Sequence, residues 1–344
     1  MVAGLAVAAL LSLSFLAPFF LILVCMPLFL RFLVRRGRVS DDVHKVPPTK
    51  VPEPVGPMLF LAAVLGELIV AVGFGSLVPV AIIIGMAVAF AVGLADDLYV
   101  LGGKTKPLLL LLAGLAFVAL VGLRSNLYQP VITFPLLGDT NPHFFIYTVL
   151  AIVAFPVVAN AFNMMDSFNG EISWFTLLTS LALLFGVCLR EAFTSGYSVA
   201  RVAAVLPLVA VAGAFLVFNR YPARAFDGDS GALMFGAMFA GLAITGGVEI
   251  AAMIAIVPAI LNSFYTLSSV RGFVERRKMG LRPTYLGEDG KLHASTERDS
   301  PSTLVRLILL EGPLSERDVV RNIIALTVVA CILSGVISIL TWVL

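Results

Sequence analysis

The chain has 344 residues, of which 60% are hydrophobic and 13% charged, with a net charge of +2. So little charge cannot cover the surface of an ordinary water-soluble globule, and no basic stretch is extensive enough to suggest nucleic-acid binding. Several apolar runs exceed the length needed to cross a bilayer, so the expected fold class is an all-α polytopic membrane protein, with one integral membrane domain over residues 1–344.

Ten spans are predicted: 4–30, 57–75, 77–95, 107–123, 143–160, 172–190, 200–219, 231–246, 248–270 and 320–343. The first lacks a basic start and ends in Arg31, Arg35, Arg36 and Arg38, as a retained membrane helix does, not a cleaved leader. Ten spans put both termini on one side. The connections 31–56, 96–106, 161–171, 220–230 and 271–319 all lie on the other side. Of the 23 Lys and Arg, all but Arg124, Arg190 and Arg201 fall there with the flanking residues, so the positive-inside rule makes that side cytoplasmic. Cys25, Cys188 and Cys331 each stand alone in an apolar run and read as small core residues.

The first cytoplasmic connection carries Asp41-Asp42-Val-His44-Lys45 and then Lys50-Val-Pro-Glu53-Pro. Its prolines favour extended structure and rigid turns that could present Lys50 and Glu53 at the membrane surface, or simply a linker with solvated charges. Glu67 lies within the second span, where a carboxylate should face the bundle interior and hydrogen-bond a neighbouring helix. The third span ends in Gly93-Leu-Ala-Asp96-Asp97, followed by Gly102-Gly-Lys-Thr-Lys106. Adjacent helical residues point about 100° apart, so the two aspartates should do different work. One could face a metal or phosphate and the other orient a lysine. Acidic groups at a helix C-terminus oppose its dipole, which favours a functional reason over interfacial placement.

Between the fifth and sixth spans stands Asn160-Ala-Phe-Asn163-Met-Met-Asp166-Ser-Phe-Asn169-Gly170. Its polar residues recur every third position, which on a helix makes a fan over about half the circumference, ended by a turn at Asn169-Gly170. Amides with a carboxylate suit a hard cation, phosphate-linked groups or a heterocycle edge. The opposite-side connection 124–142 carries no constellation, and His143 reads as interfacial. The fourth cytoplasmic connection, Asn219-Arg-Tyr-Pro-Ala-Arg-Ala-Phe-Asp227-Gly-Asp229-Ser230-Gly231, is a turn and helix start. There Asp229 or Ser230 can cap the eighth span, a position that also suits metal-bound phosphate.

The last cytoplasmic connection, 271–319, is long enough to be functional. It holds Arg276-Arg277-Lys278 and Arg282, a hairpin expected between Thr284 and Ser295 around Asp289-Gly290, and a capping box at Ser315–Asp318. Its basic cluster suits substrate phosphate or sugar, or anionic lipid headgroups. No His/Cys group has zinc spacing and no Walker A loop is present. Carboxylates, amides and cations on one side of a membrane suit phosphoryl transfer between a soluble nucleotide and a lipid. A secondary transporter is the rival from another class, but no paired broken spans in matching halves support it.

Three of these stretches, around Asp96-Asp97, Asn160–Gly170 and Asn219–Gly231, resemble the motifs of the polyprenyl-phosphate N-acetylhexosamine-1-phosphate transferases, glycosyltransferase family 4. The resemblance runs over essentially the whole chain. It implies attack of a polyprenyl or dolichyl phosphate on the β-phosphorus of a UDP-N-acetylhexosamine, with UMP leaving. It also implies Mg²⁺, with Mn²⁺ as the alternate ion, held by Asn163 and Asp229. Asp96, Asp97, Lys106 and Asp166 are then the candidate catalytic groups. Asn160, Asn169, Glu53, Arg276, Arg277 and Arg282 are candidates for substrate binding, with Asn169 at the uracil edge. The last connection lacks the histidine cluster of the muramyl-pentapeptide enzymes and resembles the archaeal and eukaryotic dolichyl-phosphate enzymes, whereas Asp166 follows the bacterial pattern. That mixture points to UDP-N-acetylglucosamine:dolichyl-phosphate transfer in the first membrane step of N-glycan assembly, with an undecaprenyl-phosphate enzyme of wall or surface polysaccharide as the alternative. The expected setting is a cell membrane, or the endoplasmic reticulum in a eukaryote, with the site on the cytoplasmic face. The bilayer is a partner, nucleic acid is not, and a homodimer is compatible with the family.

Overall fold

A computed structural model of the chain describes residues 2–122, 130–194, 198–270, 272 and 281–343. Helix α1 (Val2–Arg35) leads into a hairpin of β1 (Val39–Asp42) and β2 (Thr49–Pro52). There follow α2 (Gly56–Phe74), α3 (Val78–Tyr99), α4 (Thr105–Gly122) and a hairpin of β3 (Ile132–Phe134) and β4 (Gly138–Thr140). Next come α5 (Phe144–Met164), α6 (Glu171–Phe193), α7 (Val199–Asn219) and α8 (Gly228–Gly246). The chain continues through α9 (Glu249–Ala255), α10 (Val257–Ser269), the hairpin of β5 (Thr284–Leu286) and β6 (Leu292–Ala294), α11 (Leu304–Ile308) and α12 (Glu316–Trp342). Among the described residues, nine helices are long and apolar enough to span a membrane, or ten if α9 and α10 count as one. The protein is therefore an all-α, multi-pass membrane protein, as its composition requires.

The span expected at 248–270 is bent by 66° between α9 and α10. Pro258, in the first turn of α10, explains the break: it offers no N–H to the preceding turn, and its ring would collide with the carbonyl of Ile254 in a continuous helix. No other broken pair of this kind occurs among the described residues.

Helix α8 is the centre of the bundle. Its residues are almost all buried, and its glycines and alanines let neighbouring backbones come close. A Cβ at Gly93 of α3 would lie 2.5 Å from the carbonyl oxygen of Asp229, and one at Gly236 would lie 2.6 Å from the Cα of Ala159 on α5. The polar start of α8 is thereby fixed at the middle of one end of the bundle. The first connection is fastened to it. Phe226 N–H donates to the Pro52 carbonyl (3.1 Å), and Val55 and Gly56 N–H donate to Phe226 and Asp227 (2.9 and 3.0 Å). The segment expected to be an extended linker is thus a hairpin whose second strand runs on into that pairing.

Two expectations about polar or sulfur groups fail. Glu67 is fully buried, but neither carboxylate oxygen has a hydrogen-bond partner among the described residues. The neighbours of its turn are apolar or lack donors: a Cβ at Gly66 would meet Pro207 and Pro18. Cys188 is exposed on the outside of α6, not part of the core, while Cys25 and Cys331 are half-buried.

Candidate active site

The end of the bundle that carries the α8 start also carries the C-terminus of α3, the N-terminus of α4 and the C-terminus of α5. The first brings Asp96 and Asp97, the second Lys106 and the third Asn163. Lys106 Nζ lies 2.8 Å from Asp96 Oδ2 and 2.6 Å from Asp229 Oδ2. Asn163 donates through Nδ2 to Asp229 Oδ1, which leaves its own Oδ1 as a further hard oxygen beside the carboxylate. Asp97 turns the other way. Its two oxygens accept the N–H groups of Asp229 (2.8 Å) and Ser230 (3.0 Å). The expectation that Asp229 or Ser230 caps α8 is therefore corrected. The N-cap residue is Asp227, which makes no side-chain cap bond, and the open amides are taken by a carboxylate from another helix. The close approach of α3 and α8 at Gly93 makes this possible. Adjacent aspartates divide the work as their angular separation demands: Asp96 holds the lysine and Asp97 holds the helix.

Asp227 is fully buried, and neither of its oxygens has a hydrogen-bond partner among the described residues. Burial drives its pKa well above the usual carboxylate range, reinforced by the charges of Asp166, Glu53 and Asp97. Asp96 and Asp229 thus share the Lys106 ammonium, with Asp97 behind them on the α8 amides and Asp227 buried at the helix start. An all-oxygen, strongly anionic donor set with an orphaned buried carboxylate fits a hard divalent cation.

The fan expected over Asn160–Asn169 does not form on one helix, because α5 ends at Met164. The chain then turns back. Ser167 and Phe168 N–H donate to the Glu171 carboxylate (3.2 and 3.1 Å), and Gly170 takes φ 85° before α6 begins. Glu171, the first residue of α6, thus ties down the turn that precedes its helix and draws residues 166–169 off the helical path. Asn160 is spent within α5, donating to the Pro156 carbonyl (2.7 Å). Asn169 belongs to a second, adjoining cluster. It is 3% exposed, donates from Nδ2 to Asp42 Oδ2 (3.1 Å), accepts at Oδ1 from Ala223 N–H (2.6 Å), and donates its backbone N–H to Glu316 Oε1 (3.0 Å).

The same carboxylates hold Lys45, whose ammonium lies 3.0 Å from Asp42 and 2.5 Å from Glu316. Burial alone would lower the pKa of Lys45, but these two partners outweigh it and raise it. Asp42, His44 and Glu316 have metal-ligand spacing, yet the ammonium already stands between the carboxylates. His44 stacks on Phe168 at 4.6 Å, and Tyr221 lies under both Lys45 (4.2 Å) and Arg317 (4.4 Å). A cavity of about 440 Å³ opens here, lined by His44, Tyr221, Leu286, Leu292, Glu316 and Arg317, among others.

Glu53 accepts from Ser40 on β1 and adds its charge near Asp227. Asp166 approaches Asp227 electrostatically. Arg282 is exposed, and its carbonyl accepts from Ser300 (2.7 Å). Arg276 and Arg277 lie outside the described residues. The expected hairpin at 284–295 is present as β5–β6, and Ser315 caps α12, accepting from Asp318 N–H (3.3 Å). Sequence reasoning did not single out Lys45, Glu316 or Tyr221. The density of Asp42, His44 and Lys45 in one short turn was the available signal.

The chain is similar in sequence to known proteins over the region that carries this site. The sequence profile described as Glycosyl transferase family 4 matches residues 79–247, which include Asp96 through Asp229. A protein of Sulfolobus acidocaldarius, provisionally named UDP-N-acetylglucosamine–dolichyl-phosphate N-acetylglucosaminephosphotransferase, is 24% identical over 89% of this chain and 90% of its own length. A Bacillus subtilis protein, provisionally named undecaprenyl-phosphate N-acetylglucosaminyl 1-phosphate transferase, is 25% identical over 81% of this chain and 75% of its own. The phospho-N-acetylmuramoyl-pentapeptide-transferase of Halalkalibacterium halodurans is 26% identical over 78% and 85%.

Proposed function

We propose that the chain, whose residues 79–247 match the profile of glycosyl transferase family 4, is a phosphoglycosyl transferase that transfers N-acetylglucosamine 1-phosphate from UDP-N-acetylglucosamine to dolichyl phosphate, releasing UMP. The observation that carries the proposal is the Lys106–Asp96–Asp229–Asn163 cluster at one end of the membrane bundle. The charge asymmetry of the connections supports a cytoplasmic placement of that end, where nucleotide sugars are available.

In the reaction, an oxygen of the lipid phosphate bonds to the β-phosphorus of the donor. The bond from that phosphorus to the bridging oxygen breaks, and the electron pair leaves with UMP. Three phosphates must approach one another, so the dominant barrier is electrostatic. Lys106 brings a fixed positive charge to that approach and holds Asp229 in place. Asn163 and Asp229, with Asp227 beside them, are the residues that would hold Mg²⁺. When bound, the ion would neutralise phosphate charge and polarise the reacting phosphoryl group. The attacking phosphate is already largely ionised near neutral pH, so no strong general base is required of Asp96 or Asp166. Asn169 would read the uracil edge, and Arg282 at the foot of the β5–β6 hairpin would meet the sugar or its diphosphate.

UMP release from purified protein in detergent tests this. Expected is release with UDP-N-acetylglucosamine and dolichyl phosphate that chelation stops and Mg²⁺ or Mn²⁺ restores. Release only with undecaprenyl phosphate would move the function to wall or surface polysaccharide, and no release with either lipid from folded protein would overturn it.

A further inference from the structure

Asn169 is an amide with two donor and two acceptor positions, and the fold uses one of each. Its Nδ2 faces Asp42 Oδ2 at 3.1 Å, and its Oδ1 faces the N–H of Ala223 at 2.6 Å. Paired with the Lys45 ammonium at 3.0 Å, the Asp42 carboxylate can only accept, and a backbone N–H can only donate. The two ends of the amide are therefore not interchangeable. Turning it over would set donor against donor at Ala223 and acceptor against acceptor at Asp42. The other Asp42 oxygen accepts from His44 N–H at 3.4 Å, so the carboxylate is tied to its own turn, and the whole group is 3% exposed.

Uracil and cytosine differ at their pairing edges by the same inversion. Uracil presents a ring N–H donor beside a carbonyl acceptor. Cytosine presents a ring nitrogen acceptor beside an amino donor. An amide free to turn over serves either base, whereas one locked in orientation serves one. We propose that Asp42 is a specificity-determining positioning residue, which locks the Asn169 amide so that its remaining donor and acceptor match a uracil nucleotide and mismatch a cytosine nucleotide. This rests on the reading that Asn169 faces the base. Asp42 acts through Asn169 and needs no contact with the substrate.

Affinities for UDP and CDP, measured by titration calorimetry on the full chain in detergent, test it. The wild-type protein is expected to prefer UDP. Asp42→Asn gives the amide a partner that can donate or accept and leaves only the Ala223 N–H to oppose its turning over, so the UDP-over-CDP preference should fall by about fivefold, chiefly through tighter CDP binding. General loosening of the site would weaken both nucleotides and leave the ratio standing. Asp42→Ala provides a second variant, expected to lower the ratio in the same direction. Asn169→Ala separates the two layers of the argument. If it leaves the ratio unchanged, Asn169 does not read the base and the underlying assignment fails. If it collapses the ratio while Asp42→Asn and Asp42→Ala both keep it, the assignment stands and the lock proposed for Asp42 is overturned.

Discussion

Replacing Asp97 by asparagine keeps one oxygen for the α8 amides and turns an N–H₂ group toward the other. The structure sets the scale. Two charge-assisted bonds, at 2.8 and 3.0 Å, join the carboxylate to the N–H groups of Asp229 and Ser230. A hydrogen bond to a charged group contributes about 1.5–3 kcal/mol, and a negative charge at a helix N-terminus adds about 0.3–1 kcal/mol. Asparagine forfeits one bond and the charge, or about 2–4 kcal/mol; alanine forfeits both bonds, or about 3–7 kcal/mol. Because those amides place the backbone of Asp229, most of this loss should appear as misplacement of its carboxylate. UMP release should fall about 10–100-fold in Asp97→Asn and at least about tenfold further in Asp97→Ala, at about 1.4 kcal/mol per tenfold. The assay is UMP release across pH 5–9, with the KM for donor and acceptor measured separately. A proton-abstracting Asp97 would behave differently: both variants would be equally inactive and the acidic limb of the pH–rate profile would vanish. That result would refute the positioning argument.

Lys106→Met should reduce UMP release by about 10²–10³-fold, since it removes the charge shared by Asp96 and Asp229, and Lys106→Arg should restore little because a planar fork does not replace a point charge. Gly93→Ala should lower the unfolding midpoint in detergent by an amount corresponding to about 1–3 kcal/mol, because its methyl would lie 2.5 Å from the Asp229 carbonyl oxygen; an unchanged midpoint would contradict the close packing of α3 on α8. Glu67→Leu should raise that midpoint, by about 1–3 kcal/mol, since both buried oxygens lack partners among the described residues. Lys45 has a pKa raised above its ordinary 10.5, so its contribution is complete below about pH 10.5 and is lost as pH rises through the higher folded value. The stability gap between the wild type and Lys45→Met should therefore be constant through neutral pH and close only in strong alkali; a gap that closes below pH 9 would count against the pairing with Glu316 and Asp42.

The membrane spans were legible because length and hydropathy suffice to define them, and the β5–β6 hairpin and the Ser315 cap because their signals lie within a dozen residues. The pairings that build the site were not. Asp97 reaches the amides of Asp229 and Ser230 across more than 130 positions of sequence, and Lys45 reaches Glu316 across 271. No local spacing announces such contacts. The end of α5 was misread for a related reason. Asn160 to Asn169 keep a helical rhythm, but the Glu171 carboxylate takes the amides of Ser167 and Phe168 into a turn before the next helix, and that competition overrides the period. The break at Ile256 was local, since Pro258 was visible, but a proline in a hydrophobic run gives no angle by itself.

The burial of α8 has a consequence for how such a protein could diversify. The helix that carries Asp229 is clamped on several sides by backbone-close contacts, so almost any side-chain enlargement along it would collide with a neighbour. The β5–β6 hairpin and α11 lie far along the chain from that clamp, and the second cluster receives the last connection through the first turn of α12. Variation can therefore accumulate in the rim while the hub stays fixed. Grafting another protein's last connection between Ser269 and Ser315 would exchange the surface proposed to meet the sugar without enlarging any side chain of α8.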